Sequence, residues 1–287
     1  MAEVIIKAED LSYRYPRTKK WVLQGLNFEI HEKEFVAVMG ANGAGKTTLC
    51  QCFNGIIPNS SMGKMKGRMI VGGRDTQETE VSELATQVGI VLEDPETQLF
   101  TTKIRNEVAF GPENLKVDKE EVIRRVNWAL EVVGLGDFQE RMPTALSGGQ
   151  KQRLAIATAL AMGTKIMVLD EPTAQLDPMG TDDVFRVIRD LKEQIGMTII
   201  IATHKSEHIA EFADRVCVLK EGVIQAFDTP ENIFSNTELL HENWIRPPQV
   251  SELASYLAGQ GEPLSAFPIL EEQCCTLAEA WCRGDQR

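Results

Sequence analysis

A run of apolar residues, FVAVM at Phe35 to Met39, feeds directly into GANGAGKT at Gly40 to Thr47. A short stretch that is apolar throughout marks a strand covered on both faces. Leu49, Cys52, Phe53 and Ile56 then recur at the spacing of one helical face, which predicts a helix ending near Pro58. Strand, glycine-rich loop and helix thus follow in order. The loop matches G-x-x-x-x-G-K-[ST] in the strand-to-helix setting that phosphate binding requires. Gly40, Gly43 and Gly45 let backbone N–H groups close around an anion, and the helix adds its positive end. Lys46 can meet the outer phosphates, and Thr47 can offer a hydroxyl to Mg²⁺. The alternative is a glycine turn carrying a solvated lysine.

The rest of the chain repeats the alternation. LNFEI, Leu26 to Ile30, reads as a half-buried strand, so the sheet is expected to have an edge there and an interior at FVAVM. DKEEVIRRVNWALEVVGL offers Asp118 as a cap with Glu121 at N3, a stripe of Val122, Val126, Ala129 and Val133, and Gly134 past the last turn. KIMVLD and MTIIIAT are further apolar strands, with a helix opened by Asp177 and Pro178 between them. Strands alternating with helices predict an α/β fold with a mostly parallel sheet. Glu221 and Gly222 mark a hairpin, and Thr229 with Pro230 opens a short helix. RPPQ at Arg246 to Gln249 reads as a boundary, beyond which the chain forms two or three small helices that must pack on the main body or on a partner.

A net charge of -12 spread along the chain argues against a nucleic-acid footprint. No run reaches the ~18 apolar residues of a membrane span. MAEVIIKAED shows no secretory signal, so a reducing, cytoplasmic setting is expected. The six cysteines have neither C-x-x-C pairs nor a histidine at ligand spacing, and no chemistry is assigned to them.

KIMVLDEP ends its strand in two acids, which puts Asp170 at the carboxyl edge of the sheet, where open α/β sheets bind ligands. Asp170 can hold Mg²⁺ through water, and Glu171 can polarise a water for in-line attack on a terminal phosphorus. LSGGQKQR, Leu146 to Arg153, supplies a second anion site. Ser147 and Gln150 fit a helix capping box, and Gly148 and Gly149 bare the N–H groups between them.

With these motifs the chain resembles the ATP-binding subunits of ABC transporters over about residues 3 to 235. The resemblance implies an α/β P-loop NTPase (ABC ATPase) with a mostly parallel core sheet. To this it adds an N-terminal antiparallel β subdomain, a helical signature subdomain at about 95–160 and a small C-terminal helical extension. On this basis residues 1–240 form the nucleotide-binding domain, and 247–287 an extension that helps two ATPase subunits pair. ATP and Mg²⁺ are the implied cofactors. Gly40, Asn42, Gly43, Ala44, Gly45, Lys46, Thr47 and Thr48 are assigned to the nucleotide, and Tyr15 to the adenine, with Tyr13 as the competing choice and sheet packing as the alternative role. Ser147, Gly148, Gly149 and Gln150 would grip the γ-phosphate held by a second subunit, homologous or identical, and Asp177 would line the dimer seam. Glu171, His204 and Lys46 are the implied catalytic residues, and Thr47, Asp170 and Glu93 the metal residues.

VLEDPETQLFTTKIRNEVAFGPEN, Val91 to Asn114, sits where this family contacts its membrane partner, and it resembles the energy-coupling-factor importers of vitamins and of metal ions such as cobalt or nickel. Gln98, Leu99 and Phe100 would then face a transmembrane coupling subunit, which works with a substrate-binding membrane subunit. The implied location is peripheral, on the cytoplasmic face of the cell membrane. A conventional ABC importer ATPase and a soluble, non-transport ABC ATPase are the alternatives. One residue departs from the pattern: Glu93 stands where the family has glutamine. An acceptor-only carboxylate beside phosphate either slows or re-gates the site, or still reaches Mg²⁺ with little change.

Overall fold

Every residue of Phe35–Met39, Ile166–Asp170 and Thr198–Ala202 is buried, so these stretches can only lie inside a sheet covered on both faces. The computed structural model describes residues 3–260 and 267–283. The chain begins with β1 (Val4–Arg14), β2 (Leu23–His31) and β3 (Phe35–Met39), then passes through the glycine loop into α1 (Lys46–Phe53) and α2 (Ile56–Asn59). β4 (Lys64–Val71), β5 (Arg74–Asp75) and α3 (Val81–Leu84) lead to β6 (Val88–Val91). The helices α4 (Ile104–Asn114), α5 (Lys119–Val132) and α6 (Gly148–Ala161) follow before β7 (Ile166–Asp170), α7 (Pro178–Asp190), β8 (Thr198–Ala202) and α8 (Ser206–Phe212). The hairpin β9 (Arg215–Lys220) and β10 (Val223–Asp228) precedes α9 (Pro230–Phe234), α10 (Thr237–Glu242), α11 (Gln249–Gly259) and α12 (Glu271–Arg283).

The central sheet has the order β10-β9-β3-β8-β7-β6, parallel except for the β9–β10 hairpin. A separate antiparallel sheet, β2-β1-β4-β5, packs its apolar side against α1 and the central strands. LNFEI therefore forms the edge of this second sheet and not of the central one. Its alternation is real: Leu26, Phe28 and Ile30 are buried while Asn27 and Glu29 are exposed. Alternation reports which side chains are covered, and not which strands do the pairing.

Two local expectations shift. The helix after the glycine loop stops at Phe53, because Gly55 takes a left-handed conformation (φ 73°) and α2 begins separately. Asp118 stands at the N-cap of α5 but makes no side-chain capping bond, and Glu121 is drawn instead to Arg124 and Arg125 on the next turn. These two guanidinium groups hold the Glu121 carboxyl at about 2.

Beyond the hairpin, Leu240, Ile245 and Ile269 join the main core, so the C-terminal helices rest on the body of the protein. The buried Ser251 hydroxyl donates to Pro268 O at 3.0 Å and fastens one helix to the segment preceding the next. Within the proposed extension at 247–287, residues 261–266 and 284–287 lie outside the described structure, as does the side chain of Cys282. Cys50, Cys52 and Cys217 are buried free thiols whose pKa values burial raises, which suits core residues rather than reactive ones.

Parallel register fixes where the chemistry gathers. Asp170 pairs with Ala202, and Val38 with Ala202 from the other side, so the ends of β3, β7 and β8 arrive together. The glycine loop, Glu171 and His204 all leave the sheet at this one edge.

Candidate active site

Gly40 and Gly45 are needed for different reasons. A Cβ at Gly40 would fall 2.1 Å from Leu219 O, so β9 could not lie so close to any other residue. Gly45 is left-handed, at φ 111°, and stands as N-cap of α1 with no side-chain capping bond. The first N–H groups of α1 are thus left to an external acceptor, as an anion site demands.

Lys46 is 7% exposed and turns back over the loop to donate to Gly40 O at 2.9 Å. Its Nζ lies 3.3 Å from Glu171 Oε1 and 3.0 Å from His204 Nε2. The same His204 nitrogen lies 3.0 Å from Glu171 Oε1 and 3.2 Å from Asn42 Oδ1. It can accept from Lys46, whereas Glu171 Oε1, though close to both groups, is buried without a hydrogen-bond partner of its own. Glu171 itself has φ 49°, a left-handed conformation held by its N–H bond to Ala202 O at 2.9 Å. That twist turns its carboxylate towards Lys46 and His204 rather than along the strand.

These groups line a cleft of about 360 Å³, with Thr47, Thr48 and Glu93 on its walls. A larger groove of about 740 Å³ lies on the antiparallel sheet between Lys7 and Arg215, but its ion pairs are exposed surface ones. Volume alone does not pick the site.

Asp170 is 3% exposed and its Oδ1 has no hydrogen-bond partner. Burial pushes its carboxyl above the ordinary range; the Thr47 hydroxyl beside it acts against this, while the nearby Glu171 and Glu93 add to it. A buried carboxylate oxygen without a partner, beside a threonine hydroxyl, suits Mg²⁺, which takes few protein ligands and completes its shell with phosphate and water. Among the described residues no group of three or more His, Cys, Asp or Glu is arranged to hold a metal unaided. The donor set therefore fits Mg²⁺ arriving with a nucleotide.

Tyr15 hydrogen-bonds Thr48 Oγ1 at 3.1 Å and meets Tyr13 edge-on at 5.1 Å. Tyr13 is fully buried, with its hydroxyl donating to Ser61 O at 3.2 Å, so of the two rings only Tyr15 can reach a ligand. Ala44 is buried under the loop.

The second glycine motif is formed but stands apart. Ser147 accepts from Gln150 N at 3.3 Å, and Gln150 Oε1 accepts from Ser147 N at 3.0 Å. This closes the capping box of α6, an arrangement worth about 1 kcal/mol. Ser147 and Gly148 are exposed, and neither lines the cleft. Asp177 caps α7 by accepting from Gly180 N at 2.7 Å, and Gly180 lies against Gly149. The signature and Asp177 thus share one surface, away from Lys46.

The loop after β6 divides the three residues expected to face a partner. Gln98 is turned inward, accepting from Leu92 N at 2.8 Å and donating to Ile90 O at 3.2 Å. Leu99 packs against the core. Only Phe100 projects, 66% exposed, and it meets the half-exposed Phe110 edge-to-face at 4.8 Å. Phe100 and Phe110 thus form the outward apolar pair of this segment, with Gln98 and Leu99 half-buried beneath. Sequence reasoning also missed Glu107, a buried carboxylate that accepts from Phe100 N at 3.0 Å and Thr101 N at 2.6 Å and so shapes the loop. An acid between Ile104 and Val108 on the buried face of α4 was the available signal.

The pattern that defines the ABC transporter family matches residues 23–174. A protein of Pyrococcus horikoshii described as an ABC transporter ATP-binding protein is 41% identical over 98% of this chain and 99% of its own length. Among solved structures, cbiO1 of Clostridium perfringens, part of the ABC transporter complex cbiONQ, aligns with a TM-score of 0.75 at 35% identity, over 88% of this chain and 99% of that one. The ATP-binding cassette MJ0796, solved as a dimer in a post-hydrolysis state with ADP and Pi, aligns with a TM-score of 0.68 at 26% identity, over 78% of this chain and 98% of that one.

Proposed function

Since this chain belongs to the ABC transporter family and is an ATP-binding, ATP-hydrolysing subunit of a transporter, we propose that it energises an importer of the energy-coupling-factor type, for a vitamin or a transition-metal ion such as cobalt. The observation that carries the catalytic part is the meeting of Lys46, Glu171 and His204 in one cleft at the end of the parallel strands. In this reading ATP lies along the Gly40–Thr48 loop with its adenine at Tyr15. Lys46 exchanges Glu171 for the outer phosphates, and Glu171, so released, orients the attacking water. His204 holds the terminal phosphate in line through Nε2. Mg²⁺ at Thr47 and Asp170, with Glu93 beside them, would offset phosphate charge.

Ser147 to Gln150 stand outside the cleft of their own chain, which fits their serving the ATP of a second ATPase subunit, with Asp177 at the seam between the two. In the proposed division, residues 1–240 carry the nucleotide chemistry and 247–287 help the pair associate. Phe100 and Phe110 would transmit closure to a transmembrane coupling subunit, with the chain peripheral on the cytoplasmic face. The importer type is supported by the likeness to cbiO1 and by this exposed aromatic pair. No helix among the described residues is long and apolar enough to cross a membrane.

Purification of the subunit from native membranes in mild detergent, followed by identification of its companions, tests the reading. It predicts a coupling membrane protein together with a small substrate-binding membrane protein. Recovery with only soluble partners, or with a permease fed by a separate soluble binding protein, overturns it.

A further inference from the structure

His204 sits on a short bridge between β8 and α8, and both ends of that bridge are fastened. Upstream, Thr203 is fully buried and its N–H donates to Val38 O at 3.2 Å, on the strand that feeds the glycine loop. Downstream, the bridge ends at Ser206, which is 1% exposed and opens α8. Its N–H donates to His204 O at 3.2 Å, and its hydroxyl donates to Arg246 O, far along the chain. Arg246 lies between the buried Ile245 and the buried Pro247 and Pro248, immediately before α11. The Arg246 carbonyl can therefore move only with the segment that starts the C-terminal helices. Neither motif reading nor the cleft itself assigns Ser206 a part.

We propose that Ser206 is a positioning residue for ATP hydrolysis: its hydroxyl ties the His204 bridge to the chain at Arg246, and so couples the C-terminal helices to the nucleotide cleft. The inference rests on the reading of the cleft given above. The tie matters most at its Ser206 end, because that hydroxyl is buried and, if it loses the Arg246 carbonyl, has little water to replace the bond. It is also economical in its effect, since a small displacement of Ser206 moves the backbone of His204, whose Nε2 must serve Lys46, Glu171 and Asn42 within a few tenths of an ångström. A tie of this kind acts from both ends: a nucleotide that fixes His204 alters the freedom of α11, and a partner that shifts α11 displaces His204 in the cleft. Leu253 and Tyr256 on α11 are 49% and 65% exposed and offer such a handle.

The test uses the full chain. Ser206→Ala is expected to lower kcat by at least about fivefold, short of the roughly 10²-fold cost of a 1 Å misplacement, while the Kd for a nonhydrolysable ATP analogue stays within about twofold. With only four histidines in the sequence, the His204 ring resonances can be assigned through a His204→Gln variant, and they are expected to shift in Ser206→Ala. In the wild-type protein, hydrogen exchange across α11 is expected to slow when the analogue binds. Unchanged kcat with unchanged His204 resonances overturns the proposal. Exchange in α11 that ignores the nucleotide overturns it too, and this measurement decides the matter if Ser206→Ala fails to fold. A wild-type protein that binds the analogue without hydrolysing ATP would sink the catalytic reading instead, while the exchange experiment still judges the tie.

Discussion

The carboxylate of Glu171 and the ammonium of Lys46 lie 3.3 Å apart in a cleft where both are largely shielded from solvent. At that depth each charge is felt more strongly than in water, so a phosphate drawn to Lys46 would compete with Glu171 for it. The ion pair thereby links nucleotide arrival to activation of the proposed base, and His204 Nε2, 3.0 Å from both, stands ready to follow whichever partner is left.

Glu171→Gln keeps the size of the side chain and removes its basicity. The variant is expected to bind ATP yet turn over about 10²–10⁴ times more slowly, the usual share of a general base. It should also accumulate as an ATP-bound dimer on size-exclusion chromatography. Brisk turnover by this variant rejects Glu171 as the base.

Glu93 shares the cleft with Lys46, Thr47 and Glu171, and it adds to the charge that raises the Asp170 pKa. Glu93→Gln removes one negative charge from beside the phosphates. If the carboxylate slows or re-gates this site, ATPase turnover of the assembled complex rises in the variant, by a few-fold. An unchanged rate discards the idea and leaves Glu93 as a simple substitute for glutamine.

Asp170 is raised chiefly by burial, so the folded protein keeps its proton to higher pH than the unfolded chain does. Its contribution to stability is therefore intact below the ordinary value of 3.8 and declines as pH rises through the raised value. Asp170→Asn removes that cost. In chelator at pH 7 the variant should melt higher than wild type, by about 2–4 °C for each kcal/mol relieved in a domain of this size. The gap should narrow as the pH is lowered towards 4, which differential scanning calorimetry can follow; a wild type that melts higher at pH 7 contradicts the assignment.

Phe100 and Phe110 cover each other and little else. Phe100→Ser with Phe110→Ser is expected to reduce recovery of membrane companions at least about tenfold, since burying two such rings contributes a few kcal/mol. Analogue binding by the isolated subunit should stay within about twofold. Full recovery of the companions would show that the docking surface lies elsewhere.

Much of the site could be read along the chain because it is built from neighbours. The glycine spacing before Lys46, the two acids that end β7, the Ser147–Gln150 box and the Asp177–Pro178 helix start each depend on a few consecutive residues and on helical or strand period. Departures from expectation arose where distance along the chain gave no clue. LNFEI alternates as a half-buried strand does in any sheet, and only pairing with β1 put it in the antiparallel one. Gln98, Leu99 and Phe100 are consecutive, yet one is bonded inward, one is packed and one is bare, because Glu107 on a following helix sets the turn.

Sequence by itself therefore determined the phosphate loop, the alternation of strands and helices around it, and the caps at Ser147, Asp177 and Thr229, all of which obey short-range sterics and hydrogen bonding. Only the tertiary structure decided that Lys46, Glu171 and His204 share one cleft, that the signature stands outside it, and that Ser206 reaches Arg246. Those meetings follow from the parallel register of β3, β7 and β8 and from the packing of segments remote in the chain, where burial rather than local period selects each side chain's partner.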